Sequence, residues 1–129
     1  MSSFAERIRP HVETELRAAA AAEAQGNPAL AFRHLERAHV LGQASTREHV
    51  RVHWCMLHWG WRRRNRRECV GQVMRIFGAA TKTAFGWVPS GNTGGANVSP
   101  LKPMPVSDDL AAVIQQAKAA PRTRRGPIR

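Results

Sequence analysis

The chain has 129 residues, of which 43% are hydrophobic, and this is enough for one domain with a single packed core. Twenty Lys and Arg against nine Asp and Glu give a net charge of +11, which favours acidic partners without selecting one. No stretch approaches the roughly 18 apolar residues of a membrane span, and the N-terminal residues lack the apolar core of a signal peptide. The two cysteines, Cys55 and Cys69, fit no disulfide framework and are expected to be small buried hydrophobes. A cytoplasmic protein is therefore expected.

The first two helices are predicted from their ends. Ser2 or Ser3 can cap a helix that runs to about Ala24, with Glu6 placed for a capping box. Gly26-Asn27-Pro28 then ends this helix and starts the next, which is predicted over 28–42. The residues expected to face inward are Ile8, Val12, Leu16 and Ala19 on the first helix and Ala31, Phe32, Leu35 and Ala38 on the second.

The third and fourth helices are predicted from periodicity. Ser45-Thr46-Arg47-Glu48 has the form of a second capping box and opens a helix over 47–64. Its apolar arc is predicted to hold Val50, Trp54, Leu57 and Trp61, with His49, His53, Met56 and Gly60 beside them. A fourth helix runs to about Phe85 and is predicted to bury Cys69, Val70, Val73, Ile76, Phe77 and Ala80.

The remainder of the chain is predicted to form a loop, a short helix and a tail. Residues 87–106 are rich in Pro and Gly, and their scattered apolar side chains indicate a loop ordered against the helices. Ser107 caps a short helix to about Ala119, within 107–120, and the arginine-rich residues 122–129 are expected to be disordered. The sequence therefore predicts one all-α domain over 1–121. Its expected architecture is an up-down four-helix bundle (1–86) with a Gly/Pro-rich wrapping loop and a short C-terminal helix.

Four polar residues fall on predicted inward faces: Glu15 on the first helix, His39 on the second, and His49 and His53 on the third. Buried carboxylates and imidazoles are costly unless they are hydrogen-bonded, paired or bound to metal. Helical bundles build metal sites from such side chains, and this set suits Zn, Fe or Cu. The alternative is structural: His39 bonds a backbone carbonyl, and Glu15 pairs with an arginine or with His11.

Two other kinds of site were weighed. Glu36-x-x-His39 is half of a di-iron motif, but no second copy follows and Glu36 lies at the rim of its helix. The arginines of 62–67, with Trp59 and Trp61 just before them, could bind nucleic acid, although no known nucleic-acid-binding motif is present and Trp61 is expected in the core. His58 is expected at the surface.

Glycines cluster in Gly91-Asn92-Thr93-Gly94-Gly95, and glycine-rich loops can cradle phosphate. Such loops lie between a strand and a helix and are followed by Lys-Ser or Lys-Thr, and neither feature is predicted here. A tight turn that lets the chain cross the bundle is the interpretation adopted.

Three runs occur together: residues 34–43 (HLERAHVLGQ), residues 49–54 (HVRVHW), and Gly91–Gly95 followed by Pro103-Met104-Pro105. Together they resemble a family of small bacterial proteins catalogued as a domain of unknown function, over about residues 10 to 112. The resemblance supplies no activity. It implies recurrent positions at His39, Gln43, His49, His53, Gly71, Gln72 and the Gly-Asn-Thr-Gly-Gly turn. Residues 26–31 with Leu35, Ala38 and Leu41 are also similar to half of a tetratricopeptide unit, in a single copy.

The function expected from these observations is transition-metal binding at an internal site, with His39, His49 and His53 as ligands and Glu15 as a fourth ligand or a partner of one. Whether the ion is catalytic is left open, as is a homo-oligomer. The alternatives are a helical protein-interaction module and a basic nucleic-acid-binding protein.

Overall fold

The computed structural model describes residues 2–82, 93–96 and 103–119. In these residues the chain forms five α-helices and no strand: α1 Phe4–Ala24, α2 Pro28–Gly42, α3 Thr46–Arg62, α4 Arg66–Lys82 and α5 Asp108–Lys118. The predicted extension of the fourth helix to Phe85, most of the loop 87–106 and the tail 122–129 lie outside the described residues. None of the described helices is long and apolar enough to cross a membrane.

The starts of α1, α2 and α3 have side-chain caps, whereas Ser107, the predicted cap of α5, makes no cap hydrogen bond with its side chain. Ser3 accepts a hydrogen bond from the backbone N–H of Glu6, whose side chain bonds back to Ser3, so the capping box is confirmed. Asn27 caps α2 through the N–H of Leu30, with Pro28 in the first turn. Ser45 caps α3 through the N–H of Glu48. These caps satisfy backbone donors that the first turn of a helix leaves unpaired.

The helices pack as a bundle, which confirms the all-α prediction. Consecutive helices from α1 to α4 lie against one another, and α5 packs on α1 and α2. Among the described helices, α4 packs only against α3 and does not close the bundle against α1. The apolar core lies mainly where α1, α2, α3 and α5 meet, and it includes Ile8, Val12, Leu35, Val52, Met56 and Leu110.

The inward faces of α1 and α2 are largely as predicted, but those of α3 and α4 are rotated. Trp54 and Trp61, which were expected in the core, are 54% and 76% exposed. On α4, Val70, Val73, Phe77 and Ala80 are exposed, whereas Glu68, Gln72 and Ala79 are buried. Cys55 and Cys69 are half-buried, not fully buried. This rotation is due to polar contacts. Buried polar side chains of α3 and α4 hydrogen-bond to one another and to the segment 93–96, so the polar faces of the two helices have to lie against each other.

Candidate metal centre

The α2–α3 corner brings the predicted histidines together. His39 lies in the last turn of α2, and α3 begins at Thr46, so the two helices are joined by three residues. Gly42 allows the close approach, because a Cβ there would lie 3.0 Å from the Cβ of Glu48. His49 and His53 are one helical turn apart on the face of α3 that looks back at α2.

The three imidazoles converge through the same ring nitrogen. The Nε2 of His39 lies 2.9 Å from the Nε2 of His49 and 3.1 Å from the Nε2 of His53, and the last two are 3.1 Å apart. All three side chains are buried, with relative exposures of 3%, 8% and 2% for His39, His49 and His53. This is the group of side chains that could hold a metal ion within the described part of the chain.

The protonation of His53 follows from its neighbours on α4 and in the loop. Gln72, which is fully buried, donates from Nε2 to the carbonyl of Gly94 (2.9 Å) and to Glu68 Oε1 (2.7 Å). A carbonyl oxygen can only accept, so the amide nitrogen of Gln72 faces Gly94 and its oxygen faces His53. Gln72 Oε1 therefore accepts from His53 Nδ1 at 2.6 Å. With its proton on Nδ1, a neutral His53 presents a bare lone pair at Nε2.

The segment 93–96 covers this cluster and is held by α4. The carboxylate of Glu68 accepts the N–H of Ala96 at 3.1 and 3.2 Å. Gly94 has φ +83°, a conformation that favours glycine, and a Cβ there would lie 2.5 Å from His39 Cδ2. At Gly71 a Cβ would lie 2.5 Å from the Cβ of Ala96, so α4 and this segment also touch closely. The second half of the predicted tight turn is thus built against His39.

Burial keeps two of the histidines neutral. Desolvation lowers the pKa of His49 to about 3, and the charge of His53 acts in the same direction. Desolvation also lowers the pKa of His53, to about 4, although its hydrogen bond to Gln72 opposes this. At neutral pH both rings are uncharged, which is the form that binds a metal ion.

Glu15, the fourth expected ligand, is engaged elsewhere. Its carboxylate accepts from His34 Nδ1 at 2.7 Å and from Arg37 Nε at 2.9 Å, between α1 and α2. This is the structural alternative stated above, in which an arginine pairs with the carboxylate. His58 is exposed and Glu36 is half-buried at the rim, as expected.

Sequence reasoning from periodicity missed three members of the site: Glu68, Gln72 and Gly94. The resemblance had drawn attention to Gln72 and the glycine-rich turn, but without a role. Glu68 and Gln72 lie four residues apart, on the side of α4 away from its apolar residues. Hydropathy alone gives no signal for such a pair, because it carries no information about a distant segment that returns to hydrogen-bond with it.

The arginine cluster is at the surface. Arg62 forms a two-pronged ion pair with Glu23 on α1, at 2.6 and 2.8 Å. Arg63, Arg64, Arg66 and Arg67 are exposed. Nothing in their arrangement adds support for nucleic-acid binding beyond their charge.

Comparison with known proteins gives a family but no activity. No curated protein and no solved structure matches the chain. The model of a family described as protein of unknown function (DUF3703) matches residues 6–114, a span that contains all three histidines, Gln72 and segment 93–96. The chain belongs to this family.

Proposed function

We propose that this protein binds a single divalent transition-metal ion through the Nε2 atoms of His39, His49 and His53. The observation that carries the proposal is the convergence of three buried imidazole nitrogens within 3.1 Å of one another. A neutral imidazole has one N–H, and the proton of His53 is already placed on Nδ1 by Gln72. A cation at the point of convergence is what such a set of lone pairs favours.

The spacing of the nitrogens supports this reading. Three imidazoles at the usual distance of about 2.0–2.1 Å from a tetrahedral ion hold their nitrogens about 3.3–3.4 Å apart. The 2.9–3.1 Å separations of the folded chain therefore need to widen by only a few tenths of an ångström on binding. The hydrogen bond from His53 Nδ1 to Gln72 is the kind of outer contact that orients metal-bound histidines.

The donor set restricts the metal without naming it. Three imidazoles suit Zn, Cu and Fe, whereas Ca and Mg prefer oxygen ligands. When bound through three protein ligands, such an ion has a further coordination position and can act as a Lewis acid. The deep burial of all three ligands supports an ion that is held firmly over one that exchanges rapidly.

We further propose that Gln43 gives the ion an additional oxygen contact. Its Oε1 is buried without a hydrogen-bond partner, the one side-chain N or O atom of this kind among the described residues. Gln43 lies four residues after His39, so the two side chains share one side of α2. An unpaired buried oxygen is costly, and a ligand that uses it would offset that cost. We assign Gln43 as the oxygen donor that accompanies the three histidines.

The test is metal content in protein purified without a His-tag. About one equivalent of Zn, Cu or Fe is expected by mass spectrometry, and the metal-free protein should unfold at a lower temperature, because an ion bound only by the folded state stabilises it. His39→Ala, His49→Ala and His53→Ala should each abolish binding. His34→Ala and His58→Ala are the matched controls and should retain it, because both lie outside the cluster.

Two results would contradict the proposal. One is metal-free protein whose melting temperature does not change when Zn, Cu or Fe is added. The other is retention of the metal in the His49 and His53 variants. In either case the three histidines would be core residues joined by hydrogen bonds among themselves.

A further inference from the structure

The outer side of the α3–α4 pair carries a continuous apolar surface, here called the α3–α4 face. Its groove has a volume of about 640 Å³ and is lined mostly by apolar side chains. His58 and Cys69 also line the groove. The apolar members of the face are Trp54, Leu57, Trp61, Val70, Val73 and Met74, together with the exposed Phe77, which lies about one turn after Val73 on α4. Several of these are among the most exposed large hydrophobic residues of the described chain, with Trp61 at 76%, Phe77 at 74% and Met74 at 70%.

The exposed apolar area of this face is larger than that of most monomeric proteins. Its three aromatic rings are 54–76% exposed, and at about 150–250 Å² per ring they alone present roughly 300–500 Å². Val70, Val73 and Met74 extend that area toward the roughly 800 Å² per partner of a stable interface. Monomers rarely expose apolar patches beyond a few hundred Å². The composition, rich in Trp, Phe and Met and without a charged residue among its seven members, is that of an interface centre.

The distribution of charge indicates how a partner can lie on this face. Arg63, Arg64, Arg66 and Arg67 are all at one end, where α3 turns into α4, and the other end holds Phe77. Acidic residues of α3 and α4 lie elsewhere: Glu48 and Glu68 are buried. The groove is therefore lined without an acidic or arginine side chain, with His58 as its one ionisable imidazole among the described residues, and the basic end would repel a copy placed beside it in the same direction.

We infer that the α3–α4 face binds a second copy of this chain in an antiparallel, two-fold arrangement. A two-fold interface must be complementary to itself, and this face offers both a groove and projecting rings. The antiparallel arrangement sets the two arginine ends about 25 Å apart, the length of a 17-residue helix, well beyond the screening distance of about 8 Å at physiological salt. Each copy contributes two helices, and together they complete a four-helix layer that α4 does not complete within one chain.

The experiment is sedimentation equilibrium of the full chain, over about a hundredfold range of concentration. We expect a monomer–dimer equilibrium that is unchanged or strengthened when salt is raised, because the contact is apolar. Met74→Glu and Phe77→Glu should weaken dimerisation at least about 100-fold, since each places an unpaired carboxylate in the interface. Leu30→Glu is the matched control: Leu30 is 37% exposed on α2, away from the face, and its variant should dimerise normally.

Circular dichroism and metal content identify variants that fail to fold. Met74 and Phe77 are mostly exposed, and the histidines lie on the opposite side of α3, so both variants should keep their helices and their ion. A wild-type chain that stays monomeric at about 200 µM would overturn the inference. A dimer that persists in both Glu variants would also overturn it. So would a dimer that forms only when nucleic acid is added. Salt-sensitive binding of a single-stranded oligonucleotide that Phe77→Glu abolishes would assign the face to nucleic acid instead.

Discussion

On one side of α3, His49 and His53 are buried, while on the other side Trp54 and Trp61 are exposed. Both sides continue onto α4: His53 bonds to Gln72, and the tryptophans share a groove with Val70 and Met74. In most surface helices the apolar residues are buried and the polar ones are solvated. The comparison shows that polar groups which satisfy one another set the rotation of this helix pair, and that the displaced apolar side chains are left exposed.

Hydrogen bonding makes this reversal stable. Burying Gln72 or Glu68 without hydrogen-bond partners would cost free energy. Gln72 instead bonds to Glu68, His53 and Gly94, and Glu68 also bonds to Ala96. Turning α4 to bury its valines and Phe77 would expose this network and remove the cover of the histidines. Five predictions test the contrast between the two faces, beginning with the largest effect.

Two methionines offer a matched comparison. Met56 on α3 is fully buried and Met74 on α4 is 70% exposed. Met56→Ala should lower the free energy of unfolding by about 2–5 kcal/mol, because it leaves a cavity. Met74→Ala should change it by no more than about 0.5 kcal/mol in dilute, monomeric protein. Urea denaturation measures both, and equal losses would show that the α3–α4 face is buried in the monomer.

The stability of the metal-free protein should depend on pH, because His49 and His53 are buried in their neutral form. The pKa is lowered to about 3 for His49 and about 4 for His53, from 6.5 in the unfolded chain, so the unfolded state binds more protons between these values. The free energy of unfolding should therefore be complete above about pH 6.5 and decrease as pH falls. A loss on the order of 2–4 kcal/mol is expected between pH 6.5 and 5. His49→Phe with His53→Phe should flatten the curve in this window, and an unchanged curve would contradict the burial of the rings.

Two Gly→Ala substitutions should distinguish steric strain at the candidate site from a gain in helix propensity. Gly94→Ala places a Cβ against His39 at a positive φ and should destabilise the protein by about 2–3 kcal/mol, with loss of metal affinity. Gly78→Ala on α4 meets nothing within 4 Å and should stabilise by about 0.5–1 kcal/mol. Thermal unfolding with and without metal measures both. If Gly94→Ala behaves like Gly78→Ala, the segment 93–96 does not pack on His39.

Gln72 tests the contact that orients His53. Gln72→Leu keeps the volume but removes the hydrogen bonds that Gln72 forms with His53 Nδ1, Glu68 and the Gly94 carbonyl. We expect metal affinity to fall about 10–100-fold, the range found for outer contacts of metal-bound histidines. Competition with a chromophoric chelator gives the affinity, and Val73→Leu on the outer side of α4 serves as the control. Unchanged affinity would mean that His53 needs no orienting partner.

Replacing Gln43 should change the stability of the metal-free protein and the metal affinity in opposite directions. These are the smallest effects expected. Gln43→Met removes a buried oxygen that has no partner, so the metal-free protein should gain about 1 kcal/mol in stability or stay the same. Metal binding should weaken in the same variant, because the proposed oxygen donor is gone. Calorimetric titration and thermal unfolding of one preparation measure the two quantities. A metal-free protein that becomes less stable, with unchanged affinity, would place Gln43 in a purely structural role.

Local signals in the sequence were sufficient for the helices and for the convergence of the three histidines. Ser3, Asn27 and Ser45 carry short-range capping chemistry, and four-residue spacing aligns His49 with His53. The short α2–α3 connection then leaves His39 few directions other than toward that pair. These features depend on residues close in sequence, which is why they could be predicted without a structure.

The errors arose where contacts are distant. Trp61, Val70 and Phe77 were predicted to be buried because apolar side chains usually are, but α4 buries Gln72 and Glu68 instead. That choice depends on Gly94 and Ala96, more than twenty residues away. Glu15 was expected near the histidines from its helical position, and that role stays a prediction; its carboxylate accepts from His34 and Arg37. Long-range hydrogen bonds thus account for the wrongly predicted inward face of α4.

The short span of the three histidines bears on how the chain folds. All three lie between positions 39 and 53, so bringing them together closes a loop of only ten to fourteen residues. The entropy lost in closing so short a loop is small, and such local contacts form early. An ion could therefore be captured by the α2–α3 hairpin while α4 is still unfolded, and would act as a nucleus for folding. Gln72 and Gly94 would then join the site after the ion and complete its surroundings.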